Sequence, residues 1–119
     1  MARNAPSVDA YGGGGFRLSG DWHDGSVLIL EDVAHPWSAR SLKALTPADF
    51  EAVITAGALA VEFVLLGVGP TNGLPPRAVR EALSAVGIGL EFMDTPTAAR
   101  TYNLLTAEGR RLAAALIAI

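Results

Sequence analysis

The fold class is decided by the stretch VEFVLLGVG at residues 61–69. Its first six residues are apolar except for Glu62, and they include branched and aromatic side chains. An apolar run of this length without polar alternation is typical of an interior strand that is covered on both faces. The glycines that follow then interrupt it. We therefore expect residues 61–66 to form a central strand of an α/β sheet.

A helix and a second strand follow this run. Residues 67–76 form a loop rich in Gly and Pro, and apolar residues then recur at helical spacing from Val79 to Val86. Gly87 is placed to end this helix. Residues 88–92, IGLEF, predict the next strand. A strand, a helix and a strand in this order predict two parallel strands joined by a right-handed crossover.

A further helix is predicted after residue 94, with Thr95 as its N-cap and Pro96 at its first position. Glu108 and Gly109 mark its end. The remaining residues 110–119 are rich in Ala, which favours helix, but their apolar run after a glycine serves equally well as a strand. The residues alone leave both alternatives open.

The N-terminal half predicts another helix and a hairpin. The helix begins with Thr46 as N-cap and Pro47 at the first position, and it ends at Gly57. Before it, residues 16–18 and residues 26–30 are separated by a polar turn rich in Gly and Asp. Two apolar segments around such a turn predict an antiparallel pair of strands.

The chain of 119 residues suits one domain, and we assign residues 10–119 to it and residues 1–9 to a flexible N-terminus. Half of the residues are hydrophobic, which indicates a folded chain. The net charge of −3 has the wrong sign for binding nucleic-acid phosphates, and the absence of Cys excludes disulfides and thiolate chemistry. The N-terminus lacks the apolar run of a signal peptide, and no apolar segment reaches the length of a transmembrane helix, so we expect a cytoplasmic protein.

Glycine and polar residues follow both parallel strands where they end. Because the carboxyl ends of parallel strands meet at one edge of a sheet, these residues should converge. We predict a binding site there and call it the rim. The residues alone leave open whether Arg100 meets a ligand or pairs with Asp94, Glu91 or a loop carbonyl. The rim consists of Gly67, Val68, Gly69, Asp94, Thr95, Arg100 and Asn103.

Cofactor chemistry is not indicated. Three glycines of the rim loop imitate a dinucleotide fingerprint, but their spacing in residues 67–73 is one residue too long and the chain offers only one parallel crossover. The four glycines at residues 12–15 are not followed by Gly-Lys-Ser/Thr, so they predict a bend entering a strand rather than a phosphate loop. We expect no cofactor.

The sequence gives equally little indication of a metal site or of a catalytic nucleophile. His23 and His35 lie twelve residues apart, with Asp21 and Asp24 as the acidic residues closest to His23. A single histidine in a turn is usually solvated, so we expect no metal site. The chain has no Gly-x-Ser-x-Gly motif, and neither histidine is near the rim in sequence. We therefore assign no catalytic residue.

Seven blocks together resemble one family in order and spacing over residues 10–119. That family is the small domain of unknown function shared by bacterial and archaeal single-domain proteins, the adipogenesis-associated domain-containing protein and mitochondrial complex I assembly factor 3. The resemblance implies a three-layer α/β fold with a central mixed sheet flanked by helices, an additional N-terminal β-hairpin, and a last strand antiparallel to the others. It thereby assigns residues 110–119 to a strand. The blocks are YGGGGFR (11–17) before GSVL (25–28), LTPADF (45–50), LGVG (66–69), GIGLEFMDT (87–95), RTYNLL (100–105) and EGRR (108–111).

The resemblance also implies the class of function. No enzymatic activity is established for the family, and its mitochondrial branch acts by binding partners during assembly of respiratory complex I. We therefore expect a non-enzymatic adaptor whose rim recognises a protein, such as a respiratory-complex subunit, or a small anion. A small enzyme or a nucleotide-binding domain that uses the same rim is the alternative. Two departures matter: Val68 replaces a common Thr, and Ala99 replaces a frequent Cys, so a thiol mechanism cannot operate.

Overall fold

The computed structural model describes residues 4–119. Within these residues the chain forms eight strands and three α-helices, and short 3₁₀ turns at Leu42–Ala44 and Pro47–Phe50 precede the first helix. The strands are β1 (Val8–Gly12), β2 (Gly15–Leu18), β3 (Asp21–Asp24), β4 (Ser26–Leu30), β5 (Val33–Trp37), β6 (Phe63–Gly67), β7 (Gly89–Met93) and β8 (Leu112–Leu116). The helices are α1 (Glu51–Ala56), α2 (Arg77–Ala85) and α3 (Thr95–Ala107).

A five-stranded mixed sheet in the order β5-β4-β8-β6-β7 forms the centre of the molecule. Strands β6 and β7 are parallel, from the pair Phe63 and Gly89 to the pair Gly67 and Met93, which confirms the predicted crossover. One face of the sheet packs against α1 and α2, and the other packs against α3 and the N-terminal strands. All five residues of β6 are buried, as the apolar run predicted. The three-layer α/β fold is confirmed.

The direction of the last strand differs from the prediction. β8 is antiparallel to β4, where Leu116 lies opposite Val27, but it is parallel to β6, where Leu112 lies opposite Phe63. The reason is α3, which carries the chain back across the sheet after β7, and a strand reached through a crossover helix runs in the same direction as the strand before it. The expectation that this strand is antiparallel to all the others is therefore wrong for β6 and β7.

The predicted pairing of residues 16–18 with residues 26–30 is also wrong. β2 instead pairs with β1 and β3 in a separate antiparallel sheet, whereas β4 belongs to the central sheet. Residues 21–24, interpreted as a turn, form β3. Gly25 adopts a φ of 80°, which allows the chain to leave the small sheet directly for β4.

The N-terminal boundary lies earlier than predicted. Residues 1–3 of the predicted flexible segment are outside the described residues. Val8 and Asp9 belong to β1, and the Val8 side chain is buried, so the folded part begins before residue 10. The glycine run at 12–15 makes the turn between β1 and β2, with φ values of 62° at Gly13 and 83° at Gly14, in agreement with the predicted bend.

Candidate functional site

The carboxyl ends of β6 and β7 meet, as the parallel pairing requires. Three hydrogen bonds that involve backbone groups join the loop after β6 to the end of β7 and the start of α3. Gly69 N–H donates to Thr95 Oγ1 at 3.0 Å, and Thr95 N–H donates to the Gly69 carbonyl at 2.8 Å. Val68 N–H donates to the Met93 carbonyl at 2.9 Å. The structure therefore brings the glycine loop and the start of α3 into direct contact.

Thr95 is the buried centre of this contact. Its side chain is fully buried, and its Oγ1 accepts from Gly69 while donating to the Ile117 carbonyl at 2.7 Å. One hydroxyl thereby joins the loop after β6, the helix α3 and the segment after β8. A side chain at Gly67 would place its Cβ 3.0 Å from this hydroxyl oxygen, so the glycine allows the close approach.

The N-cap of α3 is Asp94, so the prediction of Thr95 as the N-cap is wrong. The Asp94 carboxylate accepts from Thr97 N–H at 2.8 Å, and Thr95 occupies the first helical turn with its hydroxyl committed elsewhere. The pKa of Asp94 is lowered from its ordinary 3.8, chiefly by the backbone hydrogen bond from Thr97 and then by the Thr97 side chain, with a smaller effect of the Arg100 cation. Asp94 is therefore an ionised cap at neutral pH.

The first turn of α3 offers few donors to an incoming anion. The N–H groups of Thr95 and Thr97 donate to Gly69 and to Asp94, Ala98 N–H donates to the Asp94 carbonyl, and Pro96 has none. An anion site at a helix N-terminus needs free N–H groups and is weakened by a carboxylate. The loop residues Gly67–Gly69 are buried as well. This part of the rim is a closed structural contact.

Asn103 also has a structural partner. Its Oδ1 accepts from Val8 N–H and its Nδ2 donates to the Val8 carbonyl, both at 2.9 Å, so the side chain pairs with β1 as a neighbouring strand would. Next to it, the Tyr102 hydroxyl donates to the Pro6 carbonyl at 2.7 Å. Tyr102 was predicted only as part of the apolar face of α3, and no sequence signal linked either residue to the N-terminus, 95 residues away.

Arg100 is the exposed member of the rim. Within residues 4–119 it forms neither a hydrogen bond nor an ion pair, although its charge contributes to the lowered pKa of Asp94. One turn further along α3, the side chain of Leu104 is 67% exposed. The outer face of α3 therefore presents a cation next to an apolar residue.

The residues considered for metal binding lie apart. His23 is in β3 of the small sheet and His35 is in β5 of the central sheet. Among residues 4–119, no group of three or more His, Asp or Glu side chains is close enough to hold a metal ion. In the same part of the chain, no helix combines the length and the apolar character needed to cross a membrane.

A groove of about 900 Å³ lies between β5 and α1, at a distance from the rim in the fold. Trp37 and His35 from β5 line one side, and Glu51 and Thr55 from α1 line the other. No local pattern in the sequence predicts this groove as a whole, because its two walls come from separate elements. The sequence signal for one wall of this groove is the run His35, Pro36 and Trp37 in β5.

Comparison with known proteins decides the family. The family model described as "Protein of unknown function (DUF498/DUF598)" matches residues 8–117. The chain belongs to this family. The match begins at the first residue of β1 and ends just after β8, so it includes both sheets.

Relatives are found in bacteria and in vertebrates. A protein of Rhodobacter capsulatus is 39% identical over 92% of this chain and 82% of its own length. Human NADH dehydrogenase [ubiquinone] 1 alpha subcomplex assembly factor 3 is 31% identical over 98% of this chain, which spans 62% of that protein. A crystal structure of an outer membrane protein from Bartonella henselae has a TM-score of 0.87 and 33% identity, covering 96% of this chain and 95% of that one.

Proposed function

We propose that this chain is a non-enzymatic adaptor of the bacterial cytoplasm that assists assembly of a respiratory NADH dehydrogenase. The observation that carries the proposal is Arg100, an exposed cation that forms no hydrogen bond and no ion pair within residues 4–119, on a helix whose other rim residues bond inside the chain. Support comes from the mitochondrial assembly factor, to which the chain is similar over 98% of its length. Arg100 and the neighbouring Leu104 are the residues proposed to contact the partner.

A protein partner fits this surface better than a small anion does. Arginine is enriched at protein interfaces, and the exposed Leu104 beside it adds apolar surface. A small anion would need further donors around the guanidinium, and the nearby N–H groups of α3 are already used. Asp94 adds a negative charge close to Arg100 and would oppose the anion further. The predicted anion or nucleotide site thus has less support than the adaptor.

The test uses a host strain in which the gene has been deleted and is restored as wild type or as Arg100→Ala. The level of assembled NADH dehydrogenase is read from native gels stained for NADH oxidation. We expect Arg100→Ala to restore less assembled enzyme than wild type while its thermal midpoint stays within about 3 °C, since exposed substitutions usually change stability by less than about 0.5 kcal/mol.

Arg77→Ala is the matched control, because Arg77 is an equally charged surface residue of α2 that forms an exposed pair with Glu81. It should restore assembly fully. Full assembly with Arg100→Ala would contradict the role of the rim. A deletion strain with normal NADH dehydrogenase would contradict the proposed function as a whole.

A further inference from the structure

Within residues 4–119, backbone groups on the outer side of β7 form no hydrogen bond. β7 is the last strand of the central sheet and pairs with β6. Gly89 N–H donates to the Glu62 carbonyl at 3.1 Å, and the Met93 carbonyl accepts from Val68. Because backbone groups alternate along a strand, residues 89, 91 and 93 face β6, and the N–H and C=O groups of Leu90 and Phe92 face away. We call this outer side the β7 edge.

The opposite edge of the same sheet is different. Its last strand, β5, contains Pro36, which has no N–H to offer and which natural sheets use to protect an edge from further pairing. β7 has no proline. Of the two edges, the β7 edge is the one that can accept a complete additional strand.

Grooves lie on both sides of the β7 edge. On the side of α3, a groove of about 350 Å³ is lined by Phe63, Leu65 and Leu105. On the side of α2, a groove of about 360 Å³ is lined by Arg80 and Ser84. Side chains of an added strand alternate between the two faces, so successive residues would enter the two grooves in turn. Backbone pairing with side-chain pockets on both faces is how strand addition achieves affinity and specificity.

The charges beside the β7 edge select the added strand. Glu91 lies in the middle of β7 on the α3 side, is exposed, and within residues 4–119 forms no ion pair. Glu62 also lines this groove, 3.8 Å from the Arg110 guanidinium. A Lys or Arg opposite Glu91 would complement this negative charge.

We propose that the β7 edge binds an extended segment of a partner protein, which adds a sixth strand and places a Lys or Arg opposite Glu91, with apolar residues two positions to either side. The partner need not be a respiratory-complex subunit. A second copy of this chain fits less well, because the antiparallel register that pairs all five residues of β7 sets Glu91 opposite Glu91, and like charges in that position are destabilising.

Two synthetic peptides test the proposal, TVTKTVT and TVTETVT, both acetylated and amidated. Amide hydrogen exchange of the full chain is followed by NMR at rising peptide concentration. We expect TVTKTVT to slow exchange of the Leu90 and Phe92 amides by about tenfold or more, as a newly formed hydrogen bond does. TVTETVT should have little effect at equal concentration.

Charge reversal provides the control. Glu91→Lys should invert the preference in favour of TVTETVT, whereas Glu51→Lys, which makes the same change of net charge on α1, should leave it unaltered. Protection elsewhere, equal effects of the two peptides, or no protection at millimolar concentration would overturn the proposal. Protection of Leu90 and Phe92 that grows with protein concentration in the absence of peptide would instead assign the β7 edge to a second copy.

Discussion

The rim and the β7 edge adjoin at Met93 and Asp94, yet they use their polar groups in different ways. At the rim, the N–H groups of Val68, Gly69 and Thr95 all find acceptors inside the chain. Along the β7 edge, every second residue directs its backbone groups outward. The comparison shows that convergence of polar residues at strand ends is not sufficient for binding, since the same residues can satisfy one another.

Open α/β sheets usually bind ligands beyond the carboxyl ends of their strands. In this chain that position is closed by the hydroxyl of Thr95 and by the segment after β8. The free hydrogen-bonding capacity lies at the side of the sheet and on the outer face of α3 instead. Both of these surfaces suit a protein partner, and neither is a cavity enclosing a small molecule.

The largest expected effect comes from removing the hydroxyl of Thr95. Thr95→Val keeps the shape of the side chain but leaves the Gly69 N–H and the Ile117 carbonyl buried without a partner, and we expect a loss of about 2–4 kcal/mol of unfolding free energy in urea. Thr101→Val on the same helix, at a half-buried position, is the control. A loss below about 1 kcal/mol would show that the rim is not a rigid structural contact.

A smaller effect is expected at Asn103. Asn103→Ala removes both hydrogen bonds to Val8, and we expect a loss of about 1–2 kcal/mol together with faster exchange of the Val8 amide. Asn72→Ala, in an exposed loop where the side chain accepts from the neighbouring Gly73 N–H, should change stability by less than about 0.5 kcal/mol. Unchanged exchange at Val8 would return Asn103 to the group of possible ligand contacts.

The smallest effect is expected in the pH dependence of the unfolding free energy. Because the folded-state pKa of Asp94 lies below its unfolded value of 3.8, the ionised cap contributes stability above that pH, and the contribution is lost as the pH falls through the folded pKa. Asp94→Asn retains a capping oxygen but does not titrate. We expect its unfolding free energy to fall less steeply than that of wild type between about pH 5 and about pH 3.

The unfolding free energy of Asp94→Asn should still fall somewhat with decreasing pH, because the pKa of Asp9 is also lowered in the folded state. Hydrogen bonds from Ser7 and then from Gly20 lower the pKa of Asp9. Double substitution Asp9→Asn with Asp94→Asn should flatten the slope further. Equal slopes for wild type and Asp94→Asn would mean that the cap is not formed in solution.

Much of the central fold could be predicted because it depends on local patterns. The apolar run of β6 and the stripe of α2 specify their own burial, and their order specifies parallel pairing. β3 was missed because its residues are polar and mostly exposed, without the alternation that marks a half-buried strand. The direction of β8 was missed because it depends on which side of β6 the strand occupies after α3, which no local pattern encodes.

The position of the rim was predictable, but its closed state was not. Convergence follows from two parallel strands alone. Whether Thr95 is free depends on Ile117, 22 residues away, and whether Asn103 is free depends on Val8, 95 residues away. For the same reason, the residues alone do not decide whether Arg100 pairs within the chain or meets a ligand. Long-range partners decide which residues of a predicted site remain available.

Pro36 has a consequence for self-association of this chain. A polymer built by joining sheets side by side requires that each subunit offer two receptive margins, one for the preceding subunit and one for the next. Here the margin formed by β5 lacks a donor at Pro36. Joining through the central sheet would therefore terminate at a pair, and the concentration needed for fibril growth should fall when Pro36 is replaced by Val.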